Sequence, residues 1–451
     1  MIAPARLAAY EVLRRVSGGQ SDLATVLARL RDSLADERDR ALATDIAVGT
    51  MRWRGTLDVL IAHASKRSTD RLDPEVLDIL RLSVYQLLHL TRVPASAVVD
   101  DAVNLTKKVG KKSASGLVNA VLRTLSRQRR DLPLPARPQT ASDREAVLNY
   151  LTTTLSHPRW LVERWLDRLG MERAEAWLRF NNAPAPLNLR VPRSTPRDTV
   201  LDALHDREVE ARAATYAPNG VVIERGSLPG DLMDTPLVVQ DEASQVVALL
   251  AGVHPGPLVL DTCAAPGGKA TAIAGSLSGN ERLIACEKRD RRIALLRRTV
   301  ASSGEQQIDV VQADATRPLP FAPSFSTVFV DAPCSGLGTL RRDPDIRWRR
   351  TAADLPALAE TQQTMLANAA AVVRPGGRLV YATCSSEPEE NEQVARTFLA
   401  THPEFRLVPA CEAHPAISPE LMDQDGFLRT EPDRHGLELF FGAVFERSRD
   451  L

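Results

Sequence analysis

Two cysteines stand where an apolar run gives way to a polar loop: Cys334 in "VDAPCSGLG", Val330 to Gly338, and Cys384 in "VYATCSSEPEENEQ", Val380 to Gln393. The chain has five cysteines, an odd number with no CxxC spacing. That pattern argues against a disulfide framework and against a zinc site, so reduced thiols and no metal are expected. A conspicuous reduced cysteine is either core filler or a reagent. As a thiolate it is a nucleophile for covalent catalysis, and a second ionisable group beside it can move a proton.

The elements that must position these thiols follow from hydrophobic periodicity. From Arg6 to about Arg127 apolar residues recur at helical spacing, as in "LAAYEVLRRV", "VLDILRLSVYQLLHL" and "GLVNAVLRTLSRQ". Pro133, Pro135 and Pro138 then break the pattern and mark a linker. A helical pair near Pro158 to Phe180 precedes two expected strands, Leu187 to Val191 and Val221 to Glu224, of a small α+β module. From Ser244 short apolar runs alternate with helical stretches: "PLVLD", "RLIACE", "IDVVQAD", "STVFVDAP" and "GRLVYATC". Such alternation predicts a doubly wound parallel sheet covered on both faces. Ligands of these sheets sit beyond the carboxyl ends of the strands, where both cysteines fall. The expected organisation is therefore multidomain: an all-α domain over 1–135, a helical linker with a small α+β module over 136–235, and an α/β Rossmann-like domain over 236–451.

"LVLDTCAAPGGKAT", Leu258 to Thr271, reads as a strand, a glycine-rich turn and a helix start. Gly267 and Gly268 allow close approach of a ligand, and the helix offers unpaired N–H groups. The dinucleotide fingerprint GxGxxG is absent, which disfavours NAD. Acidic residues follow the successive apolar runs: Asp261, Glu287, Asp314 and Asp331. An acidic rim suits a ligand with ribose hydroxyls, an exocyclic amine and a positive centre rather than a pyrophosphate. S-adenosylmethionine has all three, and the expected cradle is Asp261, Cys263, Ala264, Ala265, Pro266, Gly267, Gly268, Lys269, Glu287, Asp314 and Asp331.

"DTCAAPGGKAT", "VDAPCSGLGTLRRDPDIRW" and "YATCSSEPEENE" resemble the signature motifs of the Sun family of RNA cytosine-5 methyltransferases. The front end, with "RLAAYEVL" and "GLVNAVLRTL", resembles the NusB-like RNA-binding domain of the bacterial 16S rRNA members. The resemblance implies a class I methyltransferase domain making 5-methylcytosine from S-adenosylmethionine, a NusB-like N-terminal domain, and a last antiparallel strand in "DRHGLELFFGAVFERS". Where relatives read Asp-Gly before the two phenylalanines, Glu438 and Leu439 stand here. Carbon 5 of cytosine is a poor nucleophile until a thiolate adds at carbon 6, and a second ionisable group then helps the elimination. The resemblance implies that Cys384 attacks and Cys334 assists release. The reverse assignment, with a Pro-Cys nucleophile as in DNA cytosine methyltransferases, is the rival. Asp331 is expected to hydrogen-bond the cytosine edge, and Lys269 to supply positive charge near Cys384. "SEPE" from Ser386 reads as a capping box whose helix N-terminus favours a thiolate, opposed by Glu387, Glu389 and Glu390. Cys263, Cys286 and Cys411 are expected to be unreactive.

The formal net charge is zero, 57 basic against 57 acidic residues, yet the first 135 residues hold 22 Lys and Arg against 15 Asp and Glu. Within that basic front end, Lys107, Lys108, Lys111 and Lys112 are candidate phosphate contacts. Arg341, Arg342, Arg347 and Trp348 of "RRDPDIRW" have a composition suited to phosphate contact and base stacking. The expected substrate is single-stranded or loosely paired 16S rRNA, because the base must leave any stack to be attacked. The alternatives are a non-catalytic NusB-like factor of ribosome assembly or antitermination, and a methyltransferase of tRNA or DNA. The start of the chain lacks a signal-peptide pattern and no apolar run reaches membrane-spanning length, so a cytoplasmic address is expected. If the lysine patch engages RNA, raising the salt concentration should weaken binding by counterion release; a binding curve indifferent to salt would argue against it.

Overall fold

The computed structural model describes residues 2–233, 235–254 and 256–449, with the backbone alone for 30–33 and 233. The chain forms two units, Met1–Pro184 with Leu340–Ala352, and Ala185–Thr339 with Ala353–Leu451. The expected middle stretch is thus divided at Pro184, its helices up to Asn182 falling with the first unit and its strands, with the helix Arg197–His205, with the second. Among the described residues no helix is long and apolar enough to cross a membrane.

The first unit is helical: α1 (Pro4–Ser17), α2 (Leu23–Ser33), α3 (Glu37–Ser65), α4 (Pro74–His89), α5 (Ala95–Lys108), α6 (Ser115–Arg127), α7 (Arg144–Asn149) and α8 (Arg159–Asn182). Local sequence sets the starts. Asp22, Asp36 and Asp143 cap α2, α3 and α7 by accepting backbone N–H groups, and proline opens α1 and α4. The helical pair expected near Pro158 is α8, bent at Gly170 (φ 75°). Every residue of α4 from Val76 to Leu87 is buried, polar ones included, which makes it the central helix. Its polar groups are paired: Asp78 with Arg14 at 2.9 Å and Arg81 at 3.2 Å, Arg81 with Asp58 at 2.6 Å, and Gln86 with Arg6 at 2.7 Å. Tyr85 packs where a Cβ on Gly49 would stand, 1.9 Å from its ring.

The segment Leu340–Ala352 corrects part of the nucleic-acid reading. Arg347 is fully buried, and its guanidinium donates to the carbonyls of Ser156 (3.1 Å), Leu340 (3.2 Å) and Asn181 (3.3 Å) and to the side chain of Asn182 (2.9 Å). The Trp348 indole donates to the Met51 carbonyl at 2.6 Å and its ring packs on Gly55. The Arg341 guanidinium donates to the Pro184 carbonyl at 2.5 Å and lies 4.4 Å from the Phe180 ring centre. Arg347 and Trp348 are therefore parts of a core rather than a phosphate contact and a stacking platform, because burying a guanidinium consumes its donors on internal carbonyls.

In the second unit a small antiparallel sheet comprises β1 (Leu187–Arg190), β2 (Glu210–Ala213), β3 (Gly220–Arg225) and β4 (Val238–Val239), in the order β2-β3-β1-β4. Sequence reading found β1 and β3 but not β2, whose alternation "EARA" carries no large apolar residue, nor the two-residue β4. The large sheet contains β5 (Leu258–Asp261), β6 (Arg282–Glu287), β7 (Ile308–Gln312), β8 (Phe325–Asp331), β9 (Val373–Thr383), β10 (Phe405–Val408), β11 (Leu428–Arg429) and β12 (Phe441–Arg447). Its order is β10-β12-β9-β8-β5-β6-β7, with β11 on β12. Strands β5 to β9 pair in parallel, and β12 lies antiparallel to β9, as the family resemblance implied. β8 is buried along Phe325–Val330 because both sheet faces are covered. Strand order reverses at β5, so a crevice opens beyond the carboxyl ends of β5 and β8.

Arg347→Ala should destabilise the helical unit by about 3 kcal/mol by leaving several buried carbonyls without donors. Denaturant unfolding followed by tryptophan fluorescence measures this, and an unchanged midpoint would contradict the structural role.

Candidate active site

β5 delivers Asp261 to the crevice floor, and residues 262–267 turn into the helix Gly268–Ala274. Gly267 takes φ 116°, and a Cβ there would lie 3.0 Å from Thr299 and 3.1 Å from Leu296. Only glycine suits that position. Lys269, in the first turn of the helix, reaches Asp331 at the end of β8 with its Nζ 2.7 Å from the carboxylate. The ammonium also lies 5.1 Å from the Phe440 ring centre. Burial works against its charge, but the carboxylate of Asp331, together with Cys384, outweighs it and raises the Lys269 pKa.

Asp261 is fully buried; its Oδ1 accepts the Cys263 N–H at 3.1 Å and its Oδ2 has no partner. Burial, then the negative charge of Asp331, pushes its carboxyl up to about 7. At the end of β6 the Glu287 carboxylate accepts the Arg289 N–H at 2.9 Å and pairs with Arg292 at 3.2 Å. Asp314 lies two residues beyond β7, which ends at Gln312, so the acidic rim is not strictly one residue per strand end. Lys288 at 2.8 Å and the Thr316 hydroxyl hold Asp314 down to about 2. Ala264 and Ala265 are buried in the turn, and Pro266, Gly267 and Gly268 carry it into the helix.

The orphaned, buried acceptor at Asp261 tests the cofactor reading: a ligand that donates hydrogen bonds and carries positive charge satisfies it, and a pyrophosphate does not. The residues fit S-adenosylmethionine, with Asp261, Glu287 and Asp314 as acceptors and the Gly267–Gly268 turn as the close-approach surface.

Cys334 and Cys384, 50 residues apart in the chain, lie with their sulfurs 3.3 Å apart. They follow β8 and β9, whose parallel ladder runs to Asp331 opposite Ala382. The hydrogen bond with Cys384, then burial, then the charges of Cys384 and Glu390, push the Cys334 thiol well up. Burial also pushes Cys263 up, and Cys286, enclosed in β6, to about 12, so neither forms a thiolate readily.

The capping box expected at "SEPE" does not form. Ser386 Oγ donates to the Glu387 side chain at 2.8 Å, Pro388–Glu390 make a 3-10 turn, and the helix starts only at Glu392. A backbone break at Asn391 (φ −113°, ψ −107°) separates the two, so the helix is capped by Asn391 and not by Ser386. Glu387 and Glu390 are fully buried. Sequence reading took Glu390 as a charge opposing the thiolate; it misses the four partners described below, because Ser335, Gln362, Tyr381 and Ser385 meet it only after folding. Leu439, at the departure from the family pattern, donates its N–H to the Gly338 carbonyl at 3.0 Å. In the helical unit Lys107, Lys108 and Lys112 are exposed, Lys111 pairs with Asp73 at 3.1 Å, and Arg342 is half-buried.

The profile of the family described as "16S rRNA methyltransferase RsmB/F" matches residues 248–446, that of the NusB family 3–127, and a ferredoxin-like domain of RsmF/B-like methyltransferases 157–228. A protein of Mycobacterium tuberculosis named as a methyltransferase is 36% identical over 98% of this chain and 96% of its own length. The ribosomal RNA small subunit methyltransferase B of Pseudomonas putida is 35% identical over 89% of this chain and 90% of its own. The chain belongs to the RsmB/F family. That of Vibrio vulnificus is 31% identical over 94% of this chain and 97% of its own. Among solved structures, a methyltransferase homologue from Pyrococcus horikoshii shares the fold, with TM-score 0.56 at 24% identity over 67% of this chain and 99% of its own. The protein is accordingly an S-adenosylmethionine-dependent RNA methyltransferase of the RsmB/F type, with a NusB domain at its front.

The Asp261 carboxyl rises from an ordinary 3.8 to about 7 on folding. The folded state thus favours the protonated acid, and the stability this contributes is lost as pH rises from about 4 through 7. Asp261→Asn should flatten that decline in cofactor-free protein, seen as a higher melting temperature than the parent at pH 8, while weakening S-adenosylmethionine binding tenfold or more (about 1.4 kcal/mol) by calorimetry. An unchanged pH dependence would remove Asp261 from this role.

Proposed function

We propose that the protein makes 5-methylcytosine in 16S rRNA, with Cys384 as the nucleophile and Cys334 assisting release. The observation that carries this reading is the 3.3 Å separation of the two sulfurs at the carboxyl ends of β8 and β9. S-adenosylmethionine supplies the methyl group as an electrophile. All other steps belong to side chains of this chain. The Cys384 sulfur adds to carbon 6 of cytosine, and the electron pair of the carbon 5–carbon 6 bond becomes available at carbon 5. Asp331 hydrogen-bonds the base edge and favours protonation at ring nitrogen 3, which drains charge from the ring during attack, and Lys269 keeps that carboxylate in place.

The Lys269 ammonium interacts with Cys384, and a positive charge beside a sulfur favours attack by it, which supports Cys384 as the nucleophile. The pairing of the two sulfurs times the release. Once Cys384 is bonded to carbon 6 it is a neutral thioether, and its charge no longer opposes ionisation of Cys334. Cys334 can then give its proton to solvent and, as a thiolate, take the proton from carbon 5. The electrons left behind restore the carbon 5–carbon 6 double bond, the sulfur–carbon 6 bond breaks, and Cys384 leaves as a thiolate.

Bisulfite sequencing of 16S rRNA from cells with and without the gene should show one cytosine that loses protection in its absence. Cys384→Ala should abolish methylation, by at least about a thousandfold, while RNA binding persists. Cys334→Ala should accumulate a protein–RNA adduct that survives denaturation. Retained turnover in Cys384→Ala would reverse the assignment, and a missing adduct in Cys334→Ala would give release to another group.

A further inference from the structure

Glu390 lies directly behind the two thiols, and nothing in the chemistry above uses it. Its carboxylate is fully buried. Oε1 accepts the Ser335 N–H at 2.8 Å and the Gln362 side-chain amide at 2.9 Å, and Oε2 accepts the Ser385 hydroxyl at 2.5 Å. All three contacts are donors, as an acceptor-only carboxylate requires. Ser335 follows Cys334 and Ser385 follows Cys384, so one side chain grips the residue next to each sulfur. The two serine hydroxyls also meet at 3.1 Å.

The partners are themselves held. Gln362, on the helix Asp354–Ala370, donates to the Pro333 carbonyl at 3.0 Å, and the Tyr381 hydroxyl donates to Gln362 Oε1 at 3.1 Å and to the Glu390 carbonyl at 2.6 Å. Asn391 next to it accepts the Thr383 hydroxyl and donates to the Ser385 carbonyl at 2.9 Å. Neighbouring strands run roughly 4.8 Å apart, and the loops beyond them diverge unless tied. Two backbone ties cross here, Ala332 N–H to the Ala382 carbonyl and Gly338 N–H to the Cys384 carbonyl, each at 2.9 Å. The second holds Cys384 through its own carbonyl, but neither of the two reaches Cys334.

We propose that Glu390 is the positioning residue of this active site: its carboxylate bridges the two cysteine loops and holds Cys334 beside Cys384. The inference rests on the roles given above to Cys384 and Cys334. Burying a carboxylate is costly without full compensation; here the three donors compensate it, and the retained charge acts on the thiol beside it. Among the described residues, the titratable groups facing Cys334 include Cys384 on the β9 loop, Glu390 on the 3-10 turn and Tyr381 on β9. Lys269 acts on Cys384, and the helix Asp354–Ala370 contributes the neutral Gln362.

The test uses the full-length protein with an RNA fragment containing the target cytosine, measuring kcat, KM and, after denaturing quench, adduct decay against pH. Glu390→Gln should lower kcat by about tenfold to a hundredfold with KM for RNA and cofactor within about twofold. The midpoint of the rise in adduct decay with pH should move down by about one unit, as the charge beside Cys334 is gone. Glu390→Asp, which keeps the charge but shortens the reach, should lower kcat with the midpoint restored. Ser385→Ala, which leaves the charge and removes one bond to it, should reduce kcat about threefold to tenfold without moving the midpoint; it also decides the matter if Glu390→Gln fails to fold. Parental kcat in Glu390→Gln or Ser385→Ala, or a lowered kcat in Glu390→Gln with an unmoved midpoint, overturns the proposal. A Cys384→Ala protein run in parallel separates the two levels: if it still turns over, the cysteine roles have failed, whereas if it is dead and Glu390→Gln behaves as the parent, only the Glu390 inference has.

Discussion

Two parallel strands that are neighbours and end at the same level oblige whatever follows them to share one small space. β8 and β9 stay in register up to Asp331 and Ala382, and the two sulfurs then lie 3.3 Å apart. The acid–base division between the thiols depends on this closeness, since the effect of one charge on another weakens as they separate. The parallel register in turn rests on burial of both faces, which makes "STVFVD" an apolar run with one available partner geometry.

Around that pair, charge is arranged by burial. Lys269 brings one positive charge into a site holding Asp331 and Asp261, and it bonds Asp331, which leaves Asp261 the acid that takes up a proton in the absence of a ligand. The energy stored in that buried acid is of the kind a cationic, hydrogen-bond-donating ligand releases. On the rim, Asp314 and Glu287 have basic partners, and Lys288 holds Asp314 in its charged, accepting form.

The helical unit shows the same rule applied to stability. Its central helix buries Asp78, Arg81 and Gln86 only because each finds a partner, and Arg347 enters a core only by giving its donors to carbonyls. Buried polar groups of this sort tie one residue to several remote segments, whereas lysines such as Lys107, Lys108 and Lys112 stand exposed on the surface.

Much of this was legible in the chain before folding. Helical periodicity up to Arg127, the alternation of strand and helix after Ser244, the glycine-rich turn and the two thiols at strand ends are local patterns, set by side-chain spacing along one segment. β2 was not legible because "EARA" carries no large apolar residue, and β4 because two residues are too few to show a period. Composition alone also misread "RRDPDIRW": arginines and a tryptophan suit both a phosphate-binding loop and a buried plug, and only the carbonyls of Met51, Ser156 and Asn181 decide between them. The sequence by itself thus determined which residues could react and which strand each would follow. Tertiary structure alone decided that Cys334 and Cys384 touch, that Asp261 has an unpartnered oxygen and that Glu390 reaches both cysteine loops, because each of these facts is a distance between segments far apart in the chain.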